Sequence, residues 1–118
     1  MSEPRLKARL FVQAALRQAA GRGVFGAVVR TGDDDAGDIV VLLRARDDRI
    51  TVLAQARTGD GSPAWMRAAG GHAVDRTEAN AYVARATERD PDLWVVEFDV
   101  DDGVPPFEAV LLPDRHGP

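Results

Sequence analysis

Hydrophobic positions recur along this chain with two different spacings, and the changes between them mark out the elements. Residues 5–9 alternate as Arg-Leu-Lys-Ala-Arg, the spacing of a short edge strand. From Phe11 the period lengthens. Phe11, Val12, Ala15, Leu16 and Ala19 share one side of a helix, with Gln13 and Arg17 opposite. Gly21 and Gly23 end it, because glycine enters the left-handed cap at no steric cost. VFGAVVR (24–30) then reads as a strand and GDDDAGD (32–38) as a polar hairpin turn. IVVLLRA (39–45) is almost wholly apolar, as expected of a central strand. After the turn ARDDR, ITVLAQA (50–56) alternates with Ile50, Val52 and Ala54 on one face. Three strands joined by short turns predict an antiparallel meander.

The second half follows the same logic. TGDGSP (58–63) is a loop, and AWMRAAGG (64–71) fits either a short strand or a helical turn running into a Gly-Gly bend. Asp75 and Glu78 have the spacing of an N-terminal capping box. Ala79, Tyr82, Val83 and Ala86 then line one helical face. Arg85 and Arg89 sit near the end, where the helix dipole favours cations, and Pro91 disfavours helical geometry at Asp90. Leu93 opens a strand in which Trp94, Val96, Phe98 and Val100 point one way. A buried Trp94 calls for a carboxylate or carbonyl to accept from its indole N–H. Asp102-Gly103 reads as a hairpin-type turn. Pro105-Pro106 keeps the next segment off a central position, with FEAVLL (107–112) returning as an edge strand. The predicted architecture is α+β: an antiparallel sheet of three to five strands with two main helices packed on one face. Residues 1–118 form a single domain, with loose tails at about 1–4 and 113–118.

Composition narrows the functional classes. A chain of 118 residues can bury roughly two-thirds of its unfolded surface. With only four Phe, two Trp and one Tyr the core is modest, so a homodimer is as open as a monomer. No cysteine is present, which excludes disulfides, thiolate metal sites and cysteine nucleophiles. No apolar run approaches the roughly 20 residues of a membrane span. MSEPRLKARL lacks the apolar segment of a signal peptide, so a cytoplasmic location is expected. The net charge of −4 is uneven. Residues 1–30 hold six basic residues and one acid, whereas 87–118 hold two Arg and nine acids. Either the two ends neutralise each other in the fold, or the N-terminal arginines form a surface for an anion or an acidic partner.

The motifs that could carry chemistry mostly fail on context. GRGVFG (21–26) matches a dinucleotide fingerprint literally, but it follows a helix and opens a strand, the reverse of what phosphate binding needs. GDDDAGD carries four carboxylates. Counted from Asp33, Asp38 and Arg44 occupy the positions where a calcium loop needs Gly and Glu, so only loose divalent-ion binding stays open. His72 follows a Gly-Gly turn and His116 lies in the tail, too few for a transition-metal site. Ser62 lacks the glycine two residues on that a nucleophile elbow wants. No cofactor and no metal are expected.

The assembled pattern resembles a small bacterial family known as a domain of unknown function, DUF1491. The matching stretches are the helix AALRQAAGRG, then VVRTGDDDAGDIVVLL, Trp65 with Arg67, and the second helix running into RDPDLWVVEFD. Together they span most of residues 10–99, and Asp90 to Glu97 is the most specific piece. The resemblance implies a compact cytoplasmic α+β domain and brings no activity or catalytic residues with it. The reading that results is a non-enzymatic protein-interaction module, its partner an unknown protein or a second copy, with Arg17, Arg22, Arg30 and Trp65 as candidate binding residues. The alternative is a small-ligand protein or enzyme with a pocket between helix and sheet, in which His72, Asp75 and Glu97 converge. A third is weak nucleic-acid binding through Arg5, Lys7, Arg9, Arg17, Arg22 and Arg30.

Overall fold

The computed structural model describes residues 7–113. Helix α1 (Ala8–Gly21) leads into strand β1 (Gly26–Arg30). Strands β2 (Ile39–Arg44), β3 (Ile50–Arg57) and β4 (Pro63–Arg67) follow. A 3-10 turn (Ala69–Gly71), helix α2 (Arg76–Arg89) and strand β5 (Trp94–Asp99) complete the order. The fold is α+β, as expected, and residues 64–71 resolve as a strand followed by a helical turn.

Helix α1 begins earlier than the periodicity predicted. Ala8 and Arg9 are already helical, and the Phe11 amide donates to the Lys7 carbonyl (3.0 Å). The buried stripe Ala8, Val12, Ala15, Ala19 extends one turn further back, which overrides the short alternation expected of 5–9. Arg5 and Leu6 lie outside the described residues. In α2 the N-cap half of the box forms: the Asp75 carboxylate accepts from the Glu78 amide (2.8 Å). Replacing Asp75 with Ala should lower stability by about 1 kcal/mol. A urea titration reading the midpoint of wild type against Asp75→Ala checks this.

The sheet differs from the meander in both order and direction. Its strands run β1-β5-β2-β3-β4. β2, β3 and β4 are antiparallel neighbours, and β5 inserts between β1 and β2. β5 is antiparallel to β1 but parallel to β2, so the sheet is mixed rather than antiparallel. GDDDAGD is therefore not a hairpin turn. It is a crossover that passes the start of β5, where the Asp33 amide donates to the Asp92 carbonyl (3.1 Å). The Asp38 amide bonds the Asp90 carboxylate (2.8 Å). The indole N–H of Trp94 donates to the Asp33 carbonyl (2.6 Å), the acceptor its burial required.

The helices lie on opposite faces, not on one. Ile39, Val41 and Leu43 pack with Trp94, Val96 and Phe98 against α1. Val40 and Leu42 pack with Val52, Leu93 and Val95 against Ala79 and Ala86 of α2. Five consecutive buried residues in β2 (Ile39–Leu43) are what a strand covered on both sides needs. Past β5, the Val104 amide bonds the Asp102 carboxylate (3.0 Å), which closes a local bend with no hairpin strand after it. Residues 107–112 do not return as a full strand. They touch the sheet through one bridge, Leu111 beside Trp65 in parallel.

Candidate functional site

The two sheet edges are treated differently, and the difference defines the candidate site. At the β4 edge, the Trp65 amide donates to the Val110 carbonyl and the Leu112 amide to the Trp65 carbonyl, each at 2.8 Å. That edge is covered by the chain itself. At the β1 edge no strand lies outside β1 among the described residues. Phe25 is 69% exposed, Val29 58% and Val28 37%, so an apolar edge faces solvent. The run VFGAVV (24–29) contains no charge and no proline to deter pairing.

The predicted binding residues fall into different environments. Arg17 and Arg22 are exposed and form no ion pair among the described residues. Arg22 lies just before β1. Arg30 acts as a clamp, its guanidinium donating to the carbonyls of Leu93 (2.6 Å) and Pro91 (2.9 Å). Trp65 is only 5% exposed. Its ring packs with Phe11 (centroids 5.6 Å) and Phe107 (6.0 Å) in the core beneath α1. The four residues do not form one surface. Phe25, Val28 and Val29 went unnoticed in the sequence because their segment read simply as the first strand of a meander, and its exposure follows only from its non-local neighbour β5.

Among the described residues, charges pair differently from the expected neutralisation of one end by the other. The basic N-terminal segment meets the acidic crossover rather than the acidic C-terminal third: Lys7 pairs with Asp35 (3.6 Å) and Arg9 with Asp34 (3.5 Å). The late acids meet mid-chain arginines instead, Asp99 with Arg44 (3.6 Å) and Asp101 with Arg46 (3.0 Å). The Asp33 carboxyl is held below the usual range, since the amides of Ala36 and Asp35 donate to its charged form. The crossover carboxylates Asp33, Asp34 and Asp35 are thus engaged within the protein. Among the described residues no group of three or more His, Asp or Glu is placed to hold a metal ion.

The residues imagined for catalysis are each engaged separately in the fold. Asp75 caps α2. Glu97 forms a two-pronged pair with Arg76 (2.7 and 3.1 Å), and this pairing raises the arginine above its ordinary value. The His72 ring nitrogen lies 3.1 Å from the Ala73 carbonyl. His116 lies outside the described residues. A cleft of about 390 Å³ does open between α2 and the sheet, but Tyr82, Arg89, Asp90 and Gln55 line it. Two of its polar groups are already used: the Gln55 side chain accepts from the Ile39 amide and the Asp90 carboxylate from the Asp38 amide, each at 2.8 Å.

Residues 6–108 match the family model described as "Protein of unknown function (DUF1491)". No curated protein matches the chain. Among solved structures, it is similar to a DUF1491 family protein from Caulobacter crescentus CB15, known from a crystal. The two share 31% identity with a TM-score of 0.79, over 92% of this chain and 100% of that one. An NMR structure of a DUF1491 family protein from the same organism gives 30% identity and a TM-score of 0.77, over 94% and 100%. A solution structure of a protein from A. tumefaciens gives 29% identity and 0.77, over 94% and 99%.

Proposed function

We propose that this chain, which belongs to the DUF1491 family, works by binding another polypeptide rather than by catalysis, and that the bare β1 edge is the contact. One observation carries the reading: of the two sheet edges, the one left uncovered among the described residues bears Phe25 and Val29, both well exposed. An open strand edge offers backbone donors and acceptors in register, and apolar side chains beside it add affinity. Arg22 lies just before β1 and, like Arg17 on α1, is exposed and forms no ion pair among the described residues, which suits a partner with acidic groups. Trp65 enters this reading as support for the fold. No helix among the described residues is long and apolar enough to cross a membrane, and a cytoplasmic setting fits the same picture.

The α2 cleft supports the second reading, capture of a small ligand, with Arg89 and Tyr82 as its polar contacts. Nucleic-acid binding has less support, because Lys7, Arg9 and Arg30 already have partners in the fold.

Affinity capture from the native host separates these readings. Wild-type bait should recover proteins that Val29→Glu bait loses about tenfold, since burying a charge at the contact costs more than 1 kcal/mol. Charge reversal in R17E/R22E should reduce recovery a few-fold. Equal recovery with Val29→Glu overturns the edge as the contact, and equal recovery with R17E/R22E removes the arginines from it.

A further inference from the structure

The cleft beneath α2 follows from small side chains. Along the α2 side of β3 the residues taper from Ile50 and Val52 to Ala54, and α2 brings Ala86 to the same place. Two methyl groups leave a space of about 390 Å³ open, a size that suits a small molecule. Its polar groups are unequal. The Asp90 carboxylate accepts from the amides of Asp38 (2.8 Å) and Asp92 (2.9 Å). Asp38 is engaged too. The Gln55 carbonyl oxygen is taken by the Ile39 amide, which leaves that side chain its N–H groups. The Arg89 guanidinium and the Tyr82 hydroxyl form no hydrogen bond or ion pair among the described residues. The acceptors of the cleft have partners, and its donors do not.

We propose that this cleft binds a small molecule carrying one carboxylate on a short apolar body. The proposal rests on the small-ligand reading above and names the ligand's class; the β1 edge plays no part in it. The planar guanidinium of Arg89 offers paired N–H donors that match a carboxylate. The Tyr82 hydroxyl and the Gln55 amide add neutral donors. Ala54 and Ala86 supply apolar wall for the ligand's body. Charge sets the limit. Asp38 and Asp90 also line the cleft, and α2 ends at Arg89 with the negative pole of its dipole. A doubly charged phosphate meets repulsion from all of these, whereas a single carboxylate is neutralised by Arg89. A neutral amide would leave the guanidinium unmatched.

NMR titration of the purified protein with hexanoate and benzoate, each beside its amide (hexanamide, benzamide), tests this. Both carboxylates should shift the Gln55 side-chain NH2, the Arg89 Nε–H and the backbone amides of Val40 and Ala54. They should bind several-fold more tightly than the amides. Arg89→Met should weaken carboxylate binding about tenfold, through loss of a charge-assisted contact, and leave the amides unchanged. Arg85→Met removes the same charge from an exposed arginine one turn earlier, outside the cleft, and should change neither. Ala54→Leu fills the space and should abolish binding of every compound, while Tyr82→Phe should weaken the carboxylates a few-fold. Thermal midpoints show whether each variant is folded. If Ala54→Leu does not fold, Tyr82→Phe decides in its place: carboxylate affinity equal to wild type puts the ligand elsewhere and overturns the proposal. Binding that survives in folded Ala54→Leu does the same. Carboxylates that bind no tighter than amides, or that bind Arg89→Met like wild type, overturn the carboxylate class; amide binding lost in Ala54→Leu then still upholds the small-ligand reading. No shift with any of these compounds overturns both.

Discussion

Trp65→Ala is expected to lower stability by about 3–5 kcal/mol, the usual range for truncating a large buried aromatic. Trp65 touches Phe11 and Phe107, and Phe107 also touches Phe98 at 5.6 Å. Alanine here leaves a cavity where α1, the sheet and the 107–112 segment meet. Small domains hold about 5–15 kcal/mol in total, so the loss would bring the variant close to unfolding. Trp65→Phe should cost much less, because it keeps a ring in the cluster. Denaturant titration of both variants beside wild type provides the measurement. A Trp65→Ala protein that unfolds at the wild-type midpoint but no longer captures partners would reverse the assignment, making Trp65 a contact residue.

Gly37→Ala carries the second large effect, a loss of about 2–4 kcal/mol. Gly37 has φ +117°, in the region where side chains are strained. An added Cβ would also strike the Asp92 carbonyl oxygen, a backbone atom that cannot swing aside. Gly32 meets the same carbonyl and the edge of the Trp94 ring. Pushing the crossover away breaks three things together: the Asp33–Asp92 backbone bond, the Asp38–Asp90 bond and the acceptor for the Trp94 indole. Gly59→Ala is the control. A Cβ there meets nothing within 4 Å, so its change should stay within about 0.5 kcal/mol. Thermal unfolding and the near-ultraviolet signal of Trp94 should distinguish the two variants.

Local features were legible in the sequence, and neighbour relations were not. The Asp75–Glu78 cap, the α2 face and the Trp94–Val100 stripe each depend on residues a few positions apart. The need of Trp94 for an acceptor follows from chemistry alone. Strand order depends on partners far apart in the chain: β5 meets β1 and β2 across some sixty residues, and no short-range spacing records that. One signal was present. The unbroken apolar run Ile39–Leu43 implies cover on both sides of β2, and that alone argues against two helices on one face. The β1 edge was harder to see. VFGAVV is as apolar as an inner strand, and its exposure follows only from which strand sits beside it.

The insertion of β5 bears on how the protein is made. During synthesis β1 and β2 emerge long before the segment that must lie between them, and until it arrives neither has its native neighbour on that side. A direct β1–β2 hairpin is the tempting shortcut, because the two strands run antiparallel in the finished sheet and the residues that hold their connection over β5 have not yet emerged. Folding is therefore expected to wait for residues 94–99 and then close in one late, cooperative step, since distant pairings bear their loop-closure entropy before any contact offsets it. A ribosome stalled before Trp94 would hold a chain with an open slot in its sheet, a form for chaperones to shield.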